Sequence, residues 1–478
     1  MMPDTTPRGT AMITRLRLQN FKAWEDSGIV EFGPITAFFG SNSSGKTSFL
    51  QSLLLFKQTA ESADRGRVFD LGGPSSLTSL GTFRDITYRH NAEHSVGIDI
   101  GWHEEKPFEI GHTETRRREP IASSNDLGLS VLVKEIRSFP VVQQVEYTLG
   151  DFHFSMSRSR SGRDEYQLDS AEYPFKRVSG RPWPLPSPGK FYSFPDQVRA
   201  YYQNAAFLSD LELQFEKLCS RIYYLGPLRQ DPERQYIWSG GRPVDVGKRG
   251  ELAVEALIAS QSDGRTNARG FAVRKDGPRR TRLITVEEHV AAWLQELGLI
   301  SDFAVEAVDD RATLYRVQVK RSPDSASVLL TDVGFGVSQV LPVLVLLAYV
   351  PEGSTVLLEQ PEIHLHPAVQ SGLADVVIEA AKVRNIQVVV ESHSEHFLMR
   401  LQRRIAEKDV GRGVTIEPDD CRLYFCDTSE GHSVISQLEL DLFGNITNWP
   451  DDFFGNAFEE VAAMNRAARK RAIGEKSI

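Results

Sequence analysis

Residues 35–50 read ITAFFGSNSSGKTSFL, and Gly40-Ser41-Asn42-Ser43-Ser44-Gly45-Lys46-Thr47 within them completes the spacing GxxxxGK[ST] of a phosphate-binding loop. The flanks fit that reading. Residues 35–39 are an apolar run of the kind that forms a buried strand, and Thr47-Ser48 opens the helical pattern FLQSLLLF. Gly40 and Gly45 allow the backbone to turn its N–H groups inward around phosphate oxygens, and the helix that follows adds the positive end of its dipole. Lys46 supplies a point charge for the outer phosphates, and the Thr47 hydroxyl is a ligand for Mg²⁺. The stretch therefore predicts binding of a nucleoside triphosphate with Mg²⁺.

The rest of the chain sets bounds on that function. At 478 residues it is too long for one ordinary core, so two or three packed units are expected. A hydrophobic content of 41% and a charged content of 25% are those of a globular protein in water. No run of 18 apolar residues occurs, so no membrane span is expected. The start, MMPDTTPRGTAM, lacks the apolar centre of a secretory signal, and regular patterning begins only at Met12. Three cysteines, Cys219, Cys421 and Cys426, are too few and too odd for a disulfide frame, which points to a reducing cytoplasm. A net charge of −9 gives no general attraction to nucleic acid, so such binding would need a local basic patch.

Along the chain, residues 12–33 alternate apolar and polar and read as strands leading into the phosphate-loop strand. Residues 95–175 read mainly as β-structure. The Pro-rich stretch 179–195 reads as a boundary or exposed loop, and helical patterning resumes at 196–220. Residues 303–320 read as a hairpin turning at Asp309-Asp310-Arg311. From 333 onward helix and strand alternate, as in a parallel sheet with helices on its faces. The division expected is a disordered tail at 1–11, an N-terminal lobe at 12–100, an accessory insertion at 101–285, a C-terminal lobe at 286–435 and a small module at 436–478.

Residues 355–367, TVLLEQPEIHLHP, supply the second half of the site. An apolar strand delivers Glu359 and Gln360 at its C-terminal end, the edge where parallel sheets place their ligand chemistry. A carboxylate there can hold Mg²⁺, directly or through water. A second apolar strand, IQVVVE, ends at Glu391 and is followed by Ser392-His393-Ser394. A histidine so placed can touch the third phosphate and register its loss.

These segments carry a resemblance. The order LRLQNFKAW, phosphate loop, GFGVSQVLPVL, LLEQPEIHLHP, VVVESHSEHFL resembles the ABC-type ATPases of the SMC, RecF and OLD group, AAA family ATPases in the broad sense. The segments YLGPLRQDPERQY and DLFGNITNWPDDFF resemble a bacterial branch of that group with a small C-terminal module of unknown function. The match covers the two ends of the chain, and the middle carries none of it. It implies an α/β fold: a two-lobed ABC-type head with a β-rich insertion and the small module. It implies ATP as the nucleotide and a homodimer, or a higher homo-oligomer, that closes around two ATP molecules. In that closure each site is completed by the partner's Gly-rich signature, here Gly334-Phe335-Gly336-Val337-Ser338-Gln339, with either Gly334 or Ser338 at the serine position. In the same branch such ATPases often stand beside a separate effector, commonly a nuclease or toxin, in anti-phage systems. The other function compatible with the resemblance is a DNA-repair or chromosome-handling ATPase that grips DNA itself.

The chain departs from the group where its second strand usually ends Asp-Glu. Here the pair is Glu359-Gln360, and Gln360 can orient water but cannot accept its proton. Slow hydrolysis is expected, with a carboxylate borrowed from Glu391 first or Glu362 second. Only about 85 residues follow His393, and they hold no paired acidic strand end of a Toprim nuclease. His364 and His366, two apart, read as packing and turn residues. The basic run 265–282, the Arg116-Arg117-Arg118 triplet and the tail 466–476 are candidate phosphate-backbone contacts for nucleic acid.

Overall fold

The computed structural model describes residues 11–111, 120–159, 165–180, 183–264, 266–271, 281–408 and 414–450. The alternating N-terminal run forms β1 (Met12–Phe21), β2 (Trp24–Asp26) and β3 (Val30–Glu31), the latter two antiparallel to β1. The apolar run is β4 (Ile35–Gly40), and the helical pattern is α1 (Lys46–Glu61). After α2 (Phe83–Ile86) come β5 (Val96–Ile110), β6 (Ala122–Ile136), β7 (Phe139–Leu149), β8 (Phe152–Arg158) and β9 (Tyr166–Asp169). They extend β1 into one antiparallel sheet of eight strands, ordered β2-β1-β5-β6-β7-β8-β9 with β3 beside β1. β5 pairs with β1 from Gln19↔Gly97 to Met12↔His103. The boundary drawn at 100–101 thus falls inside one strand, and β6–β9 add to the edge of the N-terminal sheet and share its core.

The chain returns through α3 (Gln197–Tyr201), α4 (Phe207–Ser220), β10 (Ile222–Leu225) and β11 (Tyr236–Ile237). Next follow α5 (Ala253–Ser262), β12 (Thr266–Phe271), β13 (Thr281–Thr285), α6 (Val286–Glu296), β14 (Asp302–Ala307), β15 (Leu314–Lys320) and β16 (Val328–Leu329). β14 and β15 form the expected hairpin, with Asp309 accepting from the N–H groups of Thr313 and Leu314 at its turn. The C-terminal lobe runs α7 (Phe335–Tyr349), β17 (Thr355–Glu359), α8 (Pro367–Arg384), β18 (Gln387–Glu391), α9 (Glu395–Glu407), β19 (Cys421–Ser429) and β20 (His432–Leu438). Local signals explain the helix ends. His366 caps α8 with Pro367 at its first position, Asn385 ends it at φ 54°, and the Ser394 hydroxyl accepts from Phe397 N–H to cap α9.

The central sheet is ordered β10-β17-β18-β4-β19-β20. All its pairings are parallel except β19 with β20. Its inner strands β17, β18 and β4, like β10, are buried and apolar on both sides because both faces are covered there. Ile35, Ala37, Phe39, Val388 and Val390 join the core that includes α5 to α9. Phe38, Leu357 and Val389 alternate to the other core, with α1, α4 and the antiparallel sheet. Two strands from the chain's far end, β18 and β19, thereby flank the phosphate-loop strand. β20 crosses the 435–436 boundary, and residues 451–478 of the expected module lie outside the described residues. No helix among the described residues is long and apolar enough to cross a membrane.

Candidate nucleotide site

The phosphate loop joins β4 to α1 through left-handed backbone at Gly40 (φ 133°), Ser43 (φ 62°) and Gly45 (φ 93°). Gly40 admits no side chain: a Cβ there would lie 1.8 Å from the Cys426 carbonyl oxygen of β19. Gly45 rests against the Trp24 ring, whose Nε1–H donates to the Gly45 carbonyl at 3.1 Å. The Ser44 hydroxyl donates to Ser41 O at 2.8 Å and closes the turn, while Ser41 Oγ donates to Asp427 at 3.4 Å. Asn42 and Ser43 are exposed at the tip, and Ser48 is buried in the first turn of α1. Lys46 is buried and folds onto the loop, its ammonium donating to Gly40 O at 3.0 Å and Ser41 O at 2.6 Å. Burial lowers its pKa, opposed by the charge of Glu391.

The ends of β17 and β18 lie on the same edge. Glu359 and Glu391 stand opposite each other in register. Thr47 Oγ1 donates to Glu391 Oε1 at 2.9 Å, so the acid that meets the loop is Glu391. Glu359 accepts from the Tyr224 hydroxyl at 2.6 Å. Gln360 sits at φ 44° with its N–H on the Glu391 carbonyl at 2.8 Å. Glu362 is buried and accepts from His393 N–H at 2.6 Å, while His393 itself is exposed. Burial lifts the pKa of all three acids. Glu391 is pushed up to about 7, with Glu359 and Glu362 adding like-charge repulsion. One carboxylate oxygen of Glu362 and one of Glu391 are buried without a hydrogen-bond partner among the described residues.

This donor set suits Mg²⁺. No group of three or more His, Cys, Asp or Glu converges among the described residues. Mg²⁺ beside a nucleotide needs only one or two carboxylates, a hydroxyl and phosphate oxygens. Thr47 and Glu359 offer that set, and the unpartnered Glu391 oxygen beside them is an acceptor for a water proton.

The signature segment opens α7. Gly334 is the exposed N-cap, and Phe335, 52% exposed, packs edge-on against the His364 ring at 5.4 Å. Gly336 follows in the first turn. Ser338 is buried inside the helix and donates to Phe335 O at 2.9 Å. Of the two registers, only the one starting at Gly334 presents its first residue to solvent. His366 Nδ1 accepts from Ala368 N–H at 3.3 Å. The Arg116-Arg117-Arg118 triplet and the tail 466–476 lie outside the described residues, and of the run 265–282 only strand backbone at its two ends is described. Sequence reading missed Trp24 beneath the loop, Asp427 beside it and Tyr224 on Glu359, because only strand pairing brings them there.

A phosphate loop and acidic strand ends on one parallel edge define a nucleotide-binding α/β head divided between the two ends of the chain. Comparison with protein families assigns both pieces. Residues 12–119 match the profile of the AAA ATPase domain. Residues 295–400 match one described as "AAA domain, putative AbiEii toxin, Type IV TA system", and residues 416–464 match a domain of unknown function, DUF3696. The chain thus carries segments of two AAA ATPase domain models, followed by a DUF3696 segment. No curated protein matches it. Among solved structures it is similar to the SMC head domain from Thermotoga maritima at 12% identity and TM-score 0.39, over 89% of this chain and 99% of that one. An Smc head bound to the C-winged helix domain of ScpA matches at 12% identity and TM-score 0.42, over 90% and 98%. An Smc head with an extended coiled coil, bound to the C-terminal domain of ScpA and derived from Pyrococcus furiosus, matches at 11% and 0.43, over 90% and 97%.

Proposed function

We propose that this protein is a slow, Mg²⁺-dependent ATPase switch that dimerises on ATP and controls a separate effector protein in the cytoplasm. The observation that carries the ATPase reading is the contact between Thr47 of a complete phosphate loop and Glu391 at the neighbouring strand end. In the loaded site, Lys46 leaves the loop carbonyls for the outer phosphates. Thr47, with Glu359 directly or through water, would hold Mg²⁺, which when bound would supply charge neutralisation to the phosphates. Gln360 orients the attacking water, and Glu391, whose proton affinity suits work near neutral pH, accepts its proton. Glu362 holds the His393 backbone N–H at this edge, and His393 would register the third phosphate.

The exposed start of α7 supports the dimer reading, because a free helix N-terminus is an anion seat for a partner's phosphate. The effector reading rests on the resemblance of YLGPLRQDPERQY and DLFGNITNWPDDFF to a branch in which such ATPases often stand beside a separate effector. Calorimetric titration with Mg²⁺ and ATP tests the core of the proposal. Wild type binds, and Lys46→Ala loses binding while keeping its fold. Unchanged affinity in that variant would refute the site.

A further inference from the structure

Arg229 stands on the loop that leaves β10, within YLGPLRQDPERQY, and no role given above uses it. It is only 7% exposed, yet none of its three guanidinium nitrogens has a hydrogen-bond partner among the described residues. A buried cation left without hydrogen bonds is costly, so its place in the fold calls for a reason.

Its surroundings supply one. β10 pairs in parallel with β17, Leu225 against Leu358, so the loop leaves the sheet beside Glu359. The groups whose charge acts on Arg229 are Tyr224, Glu359 and Glu362. Those groups spend their hydrogen bonds elsewhere, Glu359 on Tyr224 and Glu362 on His393 N–H. Burial lowers the guanidinium pKa to about 10, so it remains charged at neutral pH. The same edge holds the unpartnered oxygens of Glu362 and Glu391. Buried donors without acceptors thus stand beside buried acceptors without donors, and the two sets are not joined. A third phosphate would accept from the guanidinium, and the water that attacks it would donate to the free Glu391 oxygen, so a loaded site would satisfy both sets.

We infer that Arg229 binds the γ-phosphate of the ATP held on its own chain's phosphate loop, and thereby makes the site discriminate ATP from ADP. The inference rests on the ATP-binding reading above. The competing role is a structural counter-charge for Glu359 and Glu362.

Full-length wild type, Arg229→Gln, Arg229→Lys and Lys46→Ala are titrated with Mg²⁺ and either a non-hydrolysable ATP analogue or ADP, and melted without nucleotide. Arg229→Gln is expected to weaken the analogue about ten- to a hundredfold, the worth of a charge-assisted hydrogen bond, and to leave ADP affinity unchanged. Without nucleotide it should melt at or above the wild-type temperature, because an unsatisfied buried charge has gone. Arg229→Lys should keep part of the preference for the analogue. An unchanged ratio of the two affinities in Arg229→Gln overturns the inference. So does a lower melting temperature with both ligands weakened equally, the mark of a counter-charge. Wild type binding neither ligand would overturn the ATP reading itself, whereas loss of both in Lys46→Ala alone leaves that reading intact and the Arg229 comparison decisive.

Discussion

Gly336→Glu should separate ATP binding from ATP-driven association. Gly336 lies in the first turn of α7, and a Cβ there would meet only Leu299 Cδ2 at 3.7 Å, an ordinary contact. The isolated helix gains from the change. Replacing glycine inside a helix is worth about 0.5–1 kcal/mol, and an acid in the first turn about 0.3–1 kcal/mol more. The folded chain should therefore melt no lower than wild type. At the proposed interface the sign reverses. A carboxylate about 4 Å from one phosphate charge of the partner's ATP is repelled by about 4 kcal/mol at an effective dielectric of 20. At about 1.4 kcal/mol per decade that is close to a thousandfold in dimer affinity. Light scattering with the non-hydrolysable analogue should show wild type doubling in mass and the variant not, at protein concentrations far below a thousand times the wild-type dissociation constant. Titration should show that the variant still binds ATP. A wild-type mass shift in a variant that binds ATP would refute the placement of α7 at the interface and leave the Gly-rich turn a structural feature only.

Glu391→Gln should bind the ATP analogue yet lower turnover about a hundred- to ten-thousandfold, the range for loss of a general base, whereas Gln360→Glu should hold or raise the rate. Steady-state phosphate release measures both, and undiminished turnover in Glu391→Gln removes it from the chemistry. Glu212, far from the site, gives a pH prediction. Burial, offset by Phe194 N–H and reinforced by Glu216, lifts its pKa from 4.5 to about 7. The native state then keeps a proton that the unfolded chain loses in between, so stability falls as pH rises from 4.5 to about 7, by roughly 3 kcal/mol. Urea unfolding at both ends of that window should show a steeper loss in wild type than in Glu212→Gln, and equal slopes would show that Glu212 ionises normally.

What was legible in the sequence was local. The phosphate loop, its strand and its helix are consecutive within residues 35–61, and the acidic strand ends follow apolar runs that announce themselves. What stayed hidden was set by pairing between distant strands. The partner of Thr47 is Glu391, 344 residues away, because β18 and not β17 lies next to β4. Two further pairings, β19 with β4 and β10 with β17, bring the Cys426 carbonyl against Gly40 and Tyr224 against Glu359. The signature register was undecidable by spacing, since Gly334 and Ser338 each fit. One helical turn separates them, and they differ in burial, Gly334 being exposed and Ser338 buried. Likewise β5 reads as a strand from its alternation, but nothing in that alternation says that β1 is its neighbour.

The frame around the loop leaves few parts able to answer the nucleotide. Phe38 of β4 stacks on Phe49 of α1 at 4.8 Å and 5°, and on Tyr424 of β19 at 5.6 Å, while Trp24 packs on Phe49 at 5.2 Å. Interiors packed this way shift between discrete arrangements and do not bend gradually. In the proposed loaded site the residues that open α1 would exchange partners, Lys46 from loop carbonyls to phosphate and Thr47 from Glu391 to a cation. One element joins that edge to a surface far along the chain. The hairpin β19–β20 touches the loop through Asp427 and Ser41, and runs directly into the turn at Leu442 and Phe443, 72% and 75% exposed. That turn is held on α9 by Gln402 donating to Gly444 O at 2.9 Å. α9 in turn begins at Ser394, next to His393. Both supports of the exposed turn, the hairpin and α9, therefore start at the sheet edge that carries the phosphate loop.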